Sequence, residues 1–89
     1  MEFRILGPLQ VVRDGTAIEP GSPKQRGLLA NLVVHHGRAV PRDRLIEDLW
    51  GGSPPATGLG VLQNYVSQLR KLLGADVVAT RGSGYLLDV

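Results

Sequence analysis

Residues 58–74 read "GLGVLQNYVSQLRKLLG", and the sidedness of that stretch decides the fold. At about 100° per residue of an α-helix, Leu62, Tyr65, Val66, Leu69, Leu72 and Leu73 fall on one continuous arc. Gly60, Asn64, Ser67, Gln68 and Lys71 fall on the opposite arc, with Gln63 and Arg70 on its flank. The spacing predicts a helix starting near Thr57 and ending at Leu73, stopped by Gly74. One face belongs in a core. The other offers amides, a hydroxyl and cations, and no acid stands between Gly60 and Gly74.

Working outward, the helix is followed by "VVAT" and "YLLDV", two β-rich runs around "RGSG", which reads as a hairpin with Arg81 at its tip. Gly84 is expected to adopt a backbone conformation forbidden to other residues. Ahead of the helix lies "GGSPPATG" (51–58), which two glycines and Pro54–Pro55 keep from being helical. Before it, "PRDRLIEDLW" places Leu45, Ile46, Leu49 and Trp50 on one face, with Trp50 expected to be buried against the third helix. "GSPKQRGLLANLVVHHG" opens with a cap at Ser22, a proline at the first helical position and Gln25 where a capping box requires it. Its buried face is Leu28, Leu29, Leu32 and Val33, and Gly37 is its stop. At the start, "FRIL" ends at Gly7–Pro8, "LQVVR" runs into an Asp14–Gly15 turn, and "TAI" returns. The order is sheet, helix, helix, loop, helix, hairpin: an α+β chain expected to form a single domain over 1–89, with the sheet in 1–20, the helices in 22–73 and the hairpin in 76–89.

Bulk properties agree with a small globular domain. There are 89 residues, 43% of them hydrophobic, with a formal net charge of +2 and no cysteine. The missing cysteines remove disulfide and thiolate chemistry. No apolar run approaches the roughly 20 residues of a membrane span, and "MEFRILGPLQ" lacks a cleavage site, so the expected location is the cytoplasm, with no membrane partner.

The chemical candidates are weak. A glycine loop that cradles phosphate leads from a strand into a helix N-terminus, whereas "RGSG" leads into "YLLDV". "GLGVLQ" lacks the third glycine and has no strand before it. His35 and His36 are adjacent and point about 100° apart on a helix, so they cannot share a metal as an i, i+4 pair does. They read better as helix-end histidines near the negative end of the dipole. Glu47–Asp48 reads as solvated surface, and no serine has a matched histidine and acid. The expectation is no enzyme, no cofactor and no metal.

The third helix remains. Its bland reading is an ordinary polar surface. Against that, Asn, Gln, Ser, Lys and Arg are the side chains that pair with base edges and phosphates. Two helices joined by a loop and followed by a cationic hairpin form the layout of a winged helix-turn-helix, with the last helix in the major groove. Arg81 then reaches phosphate or the minor groove, and "RGSG" is a wing rather than a cradle. The alternative, a protein-interaction module on the same fold, would dock a protein through the third helix and respond weakly to salt.

"FRILGPLQV", "PKQRGLLANLV", "RDRLIEDLWGGSPPAT", "LQNYVSQLRKLLG" and "RGSGYLLDV" together resemble the DNA-binding domain of the SARP family of antibiotic-pathway activators, itself similar to the winged helix of OmpR-type response regulators. The resemblance spans nearly the whole chain. It implies an N-terminal antiparallel sheet, three helices and a wing, in a transcriptional activator that binds direct repeats near promoters as a head-to-tail pair. It implies Asn64, Ser67, Gln68 and Lys71 on the groove-facing side, Arg70 on a phosphate, and Arg81 as the wing contact. It further implies that the loop 51–58 is presented to RNA polymerase holoenzyme. Three departures from the pattern involve four positions. Pro41 stands where a serine cap is frequent, Gln68 where arginine is frequent, and Gly58 and Gly60 each weaken the helix start by roughly 1 kcal/mol relative to alanine. Members usually continue into a helical activation domain, so the resemblance implies a piece of a longer regulator or a short member.

Overall fold

The computed structural model describes the backbone of residues 2–4, 10–13 and 16–18 and, with side chains, residues 21–88. Three short strands, β1 (Glu2–Arg4), β2 (Gln10–Arg13) and β3 (Thr16–Ile18), pair antiparallel in sequence order. Val12 lies opposite both Glu2 and Ala17, and Arg13 opposite Thr16. This is the expected N-terminal sheet; the Gly7–Pro8 stop and the Asp14–Gly15 turn lie outside the described residues.

Helix α1 (Pro23–Val34) begins as its sequence dictates. The Ser22 hydroxyl accepts from the Gln25 backbone N–H, and the Gln25 side chain accepts from the Ser22 backbone N–H, a complete capping box. A two-residue strand, β4 (Val40–Pro41), leads into α2 (Arg42–Trp50), and an exposed loop at 51–57 leads into α3 (Gly58–Leu73). The chain then forms β5 (Val78–Arg81) and β6 (Gly84–Leu87). The sequence pattern did not suggest β4, which pairs antiparallel with β6 and makes the hairpin a three-stranded sheet of order β4-β6-β5. Pro41 serves as the N-cap residue of α2 and supplies no side-chain bond; the neighbouring Arg42 N–H instead donates to the Ser83 carbonyl at 3.0 Å.

The core forms where the three helices meet that sheet. Leu28, Leu29 and Leu32 of α1, Leu45 of α2, and Leu62, Val66, Leu69 and Leu73 of α3 are buried with Val40, Val77, Val78, Tyr85 and Leu87. Burying the four α3 side chains contributes about 6–12 kcal/mol, several times the ~2 kcal/mol that glycines at 58 and 60 cost the helix. That imbalance lets α3 start at Gly58 although Thr57 makes no side-chain cap.

Two core expectations are corrected. Leu72 is 37% exposed, because the buried stripe follows 58, 62, 66, 69 and 73 and leaves position 72 at its edge. Trp50 is half-buried and stands apart from the core cluster. Its ring carries the Lys24 ammonium of α1 at 5.2 Å, while that ammonium also donates to the Leu49 carbonyl at the end of α2. Trp50 therefore closes the α1–α2 seam rather than packing beneath α3. Among the described residues no helix is long and apolar enough to cross a membrane, and no group of three or more His, Asp or Glu is placed to hold a metal.

Candidate nucleic-acid interface

The outward side of α3 matches its expected polar face. Gly60, Gln63, Asn64, Ser67, Gln68 and Lys71 are all exposed. Each turn of the core stripe at 62, 66, 69 and 73 points the intervening residues away, so burial of one face fixes presentation of the other. Two further exposed side chains, Leu59 and Leu72, flank this surface.

The wing stands beside it. Arg81 pairs with Gly84 across the β5–β6 ladder, so the turn is the two residues Gly82 and Ser83. Gly82 has φ +55°, the left-handed conformation that a tight hairpin needs and glycine adopts without strain. Gly84 does not share it: its φ is not positive, and the expectation of a forbidden conformation is corrected. Glycine is required there by contact instead. A Cβ at position 84 would lie 2.2 Å from the Val40 carbonyl oxygen, because β4 runs directly alongside. Arg81, Gly82 and Ser83 are exposed, and Arg81 projects from the end of β5.

Arg70 links helix and wing. Its Nε donates to the Val78 carbonyl at 2.9 Å and a terminal N–H donates to Thr80 Oγ1 at 2.9 Å. The guanidinium also lies 6.0 Å from the centre of the Tyr85 ring. The residue expected to meet phosphate is thus engaged with β5, and its remaining N–H groups are those left for a phosphate. Gln68 is also partnered, since its Oε1 accepts from Nε2 of Gln25 on α1. Gln25, Val78, Thr80 and Tyr85 are site neighbours that no local pattern in the sequence marks. Gln25 was recognisable as a cap residue, but no local periodicity reports that its amide reaches across to a helix 43 positions away.

The surface is cationic by arrangement more than by total charge. Lys71 and Arg81 are exposed, and Arg70 joins α3 to β5. Asp48 accepts from Asn31 Nδ2 at 2.8 Å and pairs with Arg44 at 3.5 Å. Asp43 and Glu47 line an open groove of about 410 Å³ with Ile46, Gly51, Gly52 and Pro54, beside the 51–57 loop. His35 is occupied locally, its Nδ1 2.9 Å from the Asn31 carbonyl oxygen.

Comparison with known proteins agrees with this layout. Residues 16–87 match the family described as "Transcriptional regulatory protein, C terminal". The regulatory protein AfsR of Streptomyces coelicolor is 41% identical over 85 residues, covering 96% of this chain and 9% of AfsR. A solved structure of Mycobacterium tuberculosis EmbR, in complex with a low affinity phosphopeptide, superposes with a TM-score of 0.93 at 44% identity, covering 99% of this chain and 25% of that one. The DNA-binding domain of E. coli CadC superposes with a TM-score of 0.73 at 29% identity, covering 90% of this chain and 78% of that one. The chain therefore spans only a small part of the regulators it matches in sequence. With three helices, a wing and this kinship, the chain belongs to the OmpR-type winged-helix DNA-binding domains of transcriptional regulators, with SARP regulators among its relatives.

Proposed function

We propose that this domain delivers sequence-specific binding for a transcriptional activator, with α3 in the major groove and the wing on the flanking backbone or minor groove. The observation that carries the proposal is the acid-free polar face of α3 set beside an exposed Arg81. Asn64, Ser67, Gln68 and Lys71 meet base edges and nearby phosphates. Arg70 adds a phosphate contact with the N–H groups that the wing leaves over, and Arg81 contacts phosphate or enters the minor groove. The relatives are regulatory proteins, which supports a role in transcription regulation; binding of promoter direct repeats by domains arranged head to tail is what the SARP resemblance adds to the proposal. The acid-lined groove beside the loop 51–58 supports that loop as the surface offered to RNA polymerase holoenzyme, where Asp43 and Glu47 suit a basic partner segment. The cytoplasm is the compartment in which such a domain meets DNA.

Footprinting on the region upstream of the chain's own gene cluster, with affinity titrated against salt, tests this. Engagement of about four to six phosphates gives a slope of log affinity against log salt near −4 to −5. A flat salt response with no protected site would instead match a domain that docks another protein.

A further inference from the structure

Three glycines stand inside the described helices, and two of them face other elements. A Cβ at Gly27 of α1 would lie 3.2 Å from Leu49 Cδ2 of α2, tighter than an ordinary contact. Gly58 of α3 is buried, and a Cβ there would meet Ile46 Cγ2 at 3.6 Å and the rings of Pro54 and Pro55 at 3.9 Å. Gly60 differs from both. Outside its own helical turn, a Cβ at 60 would meet nothing among the described residues within 4 Å. Its backbone is helical and its φ is not positive. Neither conformation nor packing asks for glycine at this position, and alanine would hold the helix better.

Its place on α3 is specific. Gly60, Asn64, Ser67 and Lys71 follow at i, i+4, i+7 and i+11, one line along the outward face, and all four are exposed. Reach grows along that line from the N-terminus: no side chain at 60, short polar ones at 64 and 67, a long one at 71. A surface that meets all four comes closest to the helix axis at Gly60 and recedes toward Lys71. The first turn carries no acid to repel a polyanion.

We propose that duplex DNA packs directly against the α3 backbone at Gly60, so that glycine there serves the DNA contact and not the fold. The proposal rests on α3 lying in the major groove. Close approach of a backbone to a ligand is one of the uses of a residue without a side chain. A methyl group at 60 would stand between backbone and DNA and lift this end of the helix. Asn64 and Ser67, next along the same line, would then be carried away from the base edges they reach.

Melting curves paired with binding, for the wild-type chain, Gly60→Ala and Gly58→Ala, test this on the tightest duplex that the wild type recovers from a randomised pool. The two glycines share a turn but lie about 200° apart around the helix. Both changes therefore stiffen the helix start, and only one adds a methyl to the outward face. Both variants are expected to melt about 2–8 °C above wild type, the usual gain from alanine at a compatible glycine. Gly60→Ala is expected to bind at least about tenfold more weakly, the effect of forcing a methyl into a packed contact, with Gly58→Ala within about twofold of wild type. If Gly60→Ala binds as wild type does, DNA does not reach the backbone there, and the proposal falls while the groove placement stands. If both variants lose affinity equally, binding needs a pliant helix start rather than a bare backbone, and the proposal falls as well. A Gly60→Ala chain that melts below wild type shows the fold requiring glycine and also overturns it. A wild-type chain that recovers no duplex overturns the groove placement itself.

Discussion

Replacing Arg70 with alanine separates two roles that the structure places on one side chain. Its Nε bond to the Val78 carbonyl is part-buried, and its bond to Thr80 Oγ1 is exposed, both at 2.9 Å. A hydrogen bond from a charged donor contributes about 1.5–3 kcal/mol; the low end suits the first, and solvent screening leaves about 0.5 kcal/mol for the second. The Tyr85 ring at 6.0 Å adds about 0.5 kcal/mol, as expected at the outer limit of a cation–π contact. The loss is then about 2–3 kcal/mol, and at 4–8 °C per kcal/mol for a domain this size the melting temperature falls by roughly 10–20 °C. Circular dichroism melting is the assay, with Arg70→Lys alongside. Lysine keeps the charge but not the planar fork, so it should melt close to the alanine variant while retaining most of the salt dependence of DNA binding. A loosened wing should also weaken discrimination of flanking sequence. If Arg70→Ala melts within about 3 °C of wild type while its salt slope drops by about one, the guanidinium serves phosphate alone and the wing is held by other contacts.

Arg81→Ala should reduce preference for A·T-rich flanks, whose narrow minor groove attracts a guanidinium, and leave the melting temperature unchanged because Arg81 is exposed; operators differing only in their flanks provide the comparison. Gly84→Val should destabilise by about 3 kcal/mol or more, since even its Cβ overlaps the β4 backbone, and a urea midpoint near wild type would show that β4 yields easily. Trp50→Ala should cost about 1–2 kcal/mol, below the 3–5 kcal/mol of a fully buried tryptophan. The single tryptophan should be partly quenched by acrylamide, and complete shielding would contradict its place on the α1–α2 seam.

What was legible in the sequence was whatever one helix or one hairpin determines by itself. The buried stripe of α3 repeats with the helical period, so Leu62, Val66, Leu69 and Leu73 were identifiable, and Asn64, Ser67, Gln68 and Lys71 had to point outward. The capping box at Ser22 and Gln25 is equally local. Leu72 lay beyond that resolution, because a position at the stripe's margin is covered or bare according to what packs alongside. Strand β4 is two residues long, one of them proline, and has no alternation to detect; only its partner β6 makes it a strand. Gly84 answers to a contact and not to a backbone conformation, and a close approach between strands leaves no mark on local sequence. The same holds at the interface. Exposure of its side chains followed from periodicity, but the Gln25–Gln68 and Arg70–Val78 bonds join separate elements and depend on their packing.

Among the described residues strand β6 follows every other element in sequence yet is central in its sheet, between β4 and β5. Neither neighbour pairs with the other, so residues 84–87 supply all the ladder partners that β4 and β5 have. During synthesis the helices can leave the ribosome and begin to associate, but this sheet has no template until that segment follows them. Its seam to the α1–β4 connection, where the Gly37 N–H meets the Leu87 carbonyl at 3.2 Å, closes a loop of about fifty residues, the kind of distant pairing that slows folding. Nascent chains interrupted before Gly84 should therefore remain protease-sensitive, and the competence to fold should arrive in one step as the final strand emerges.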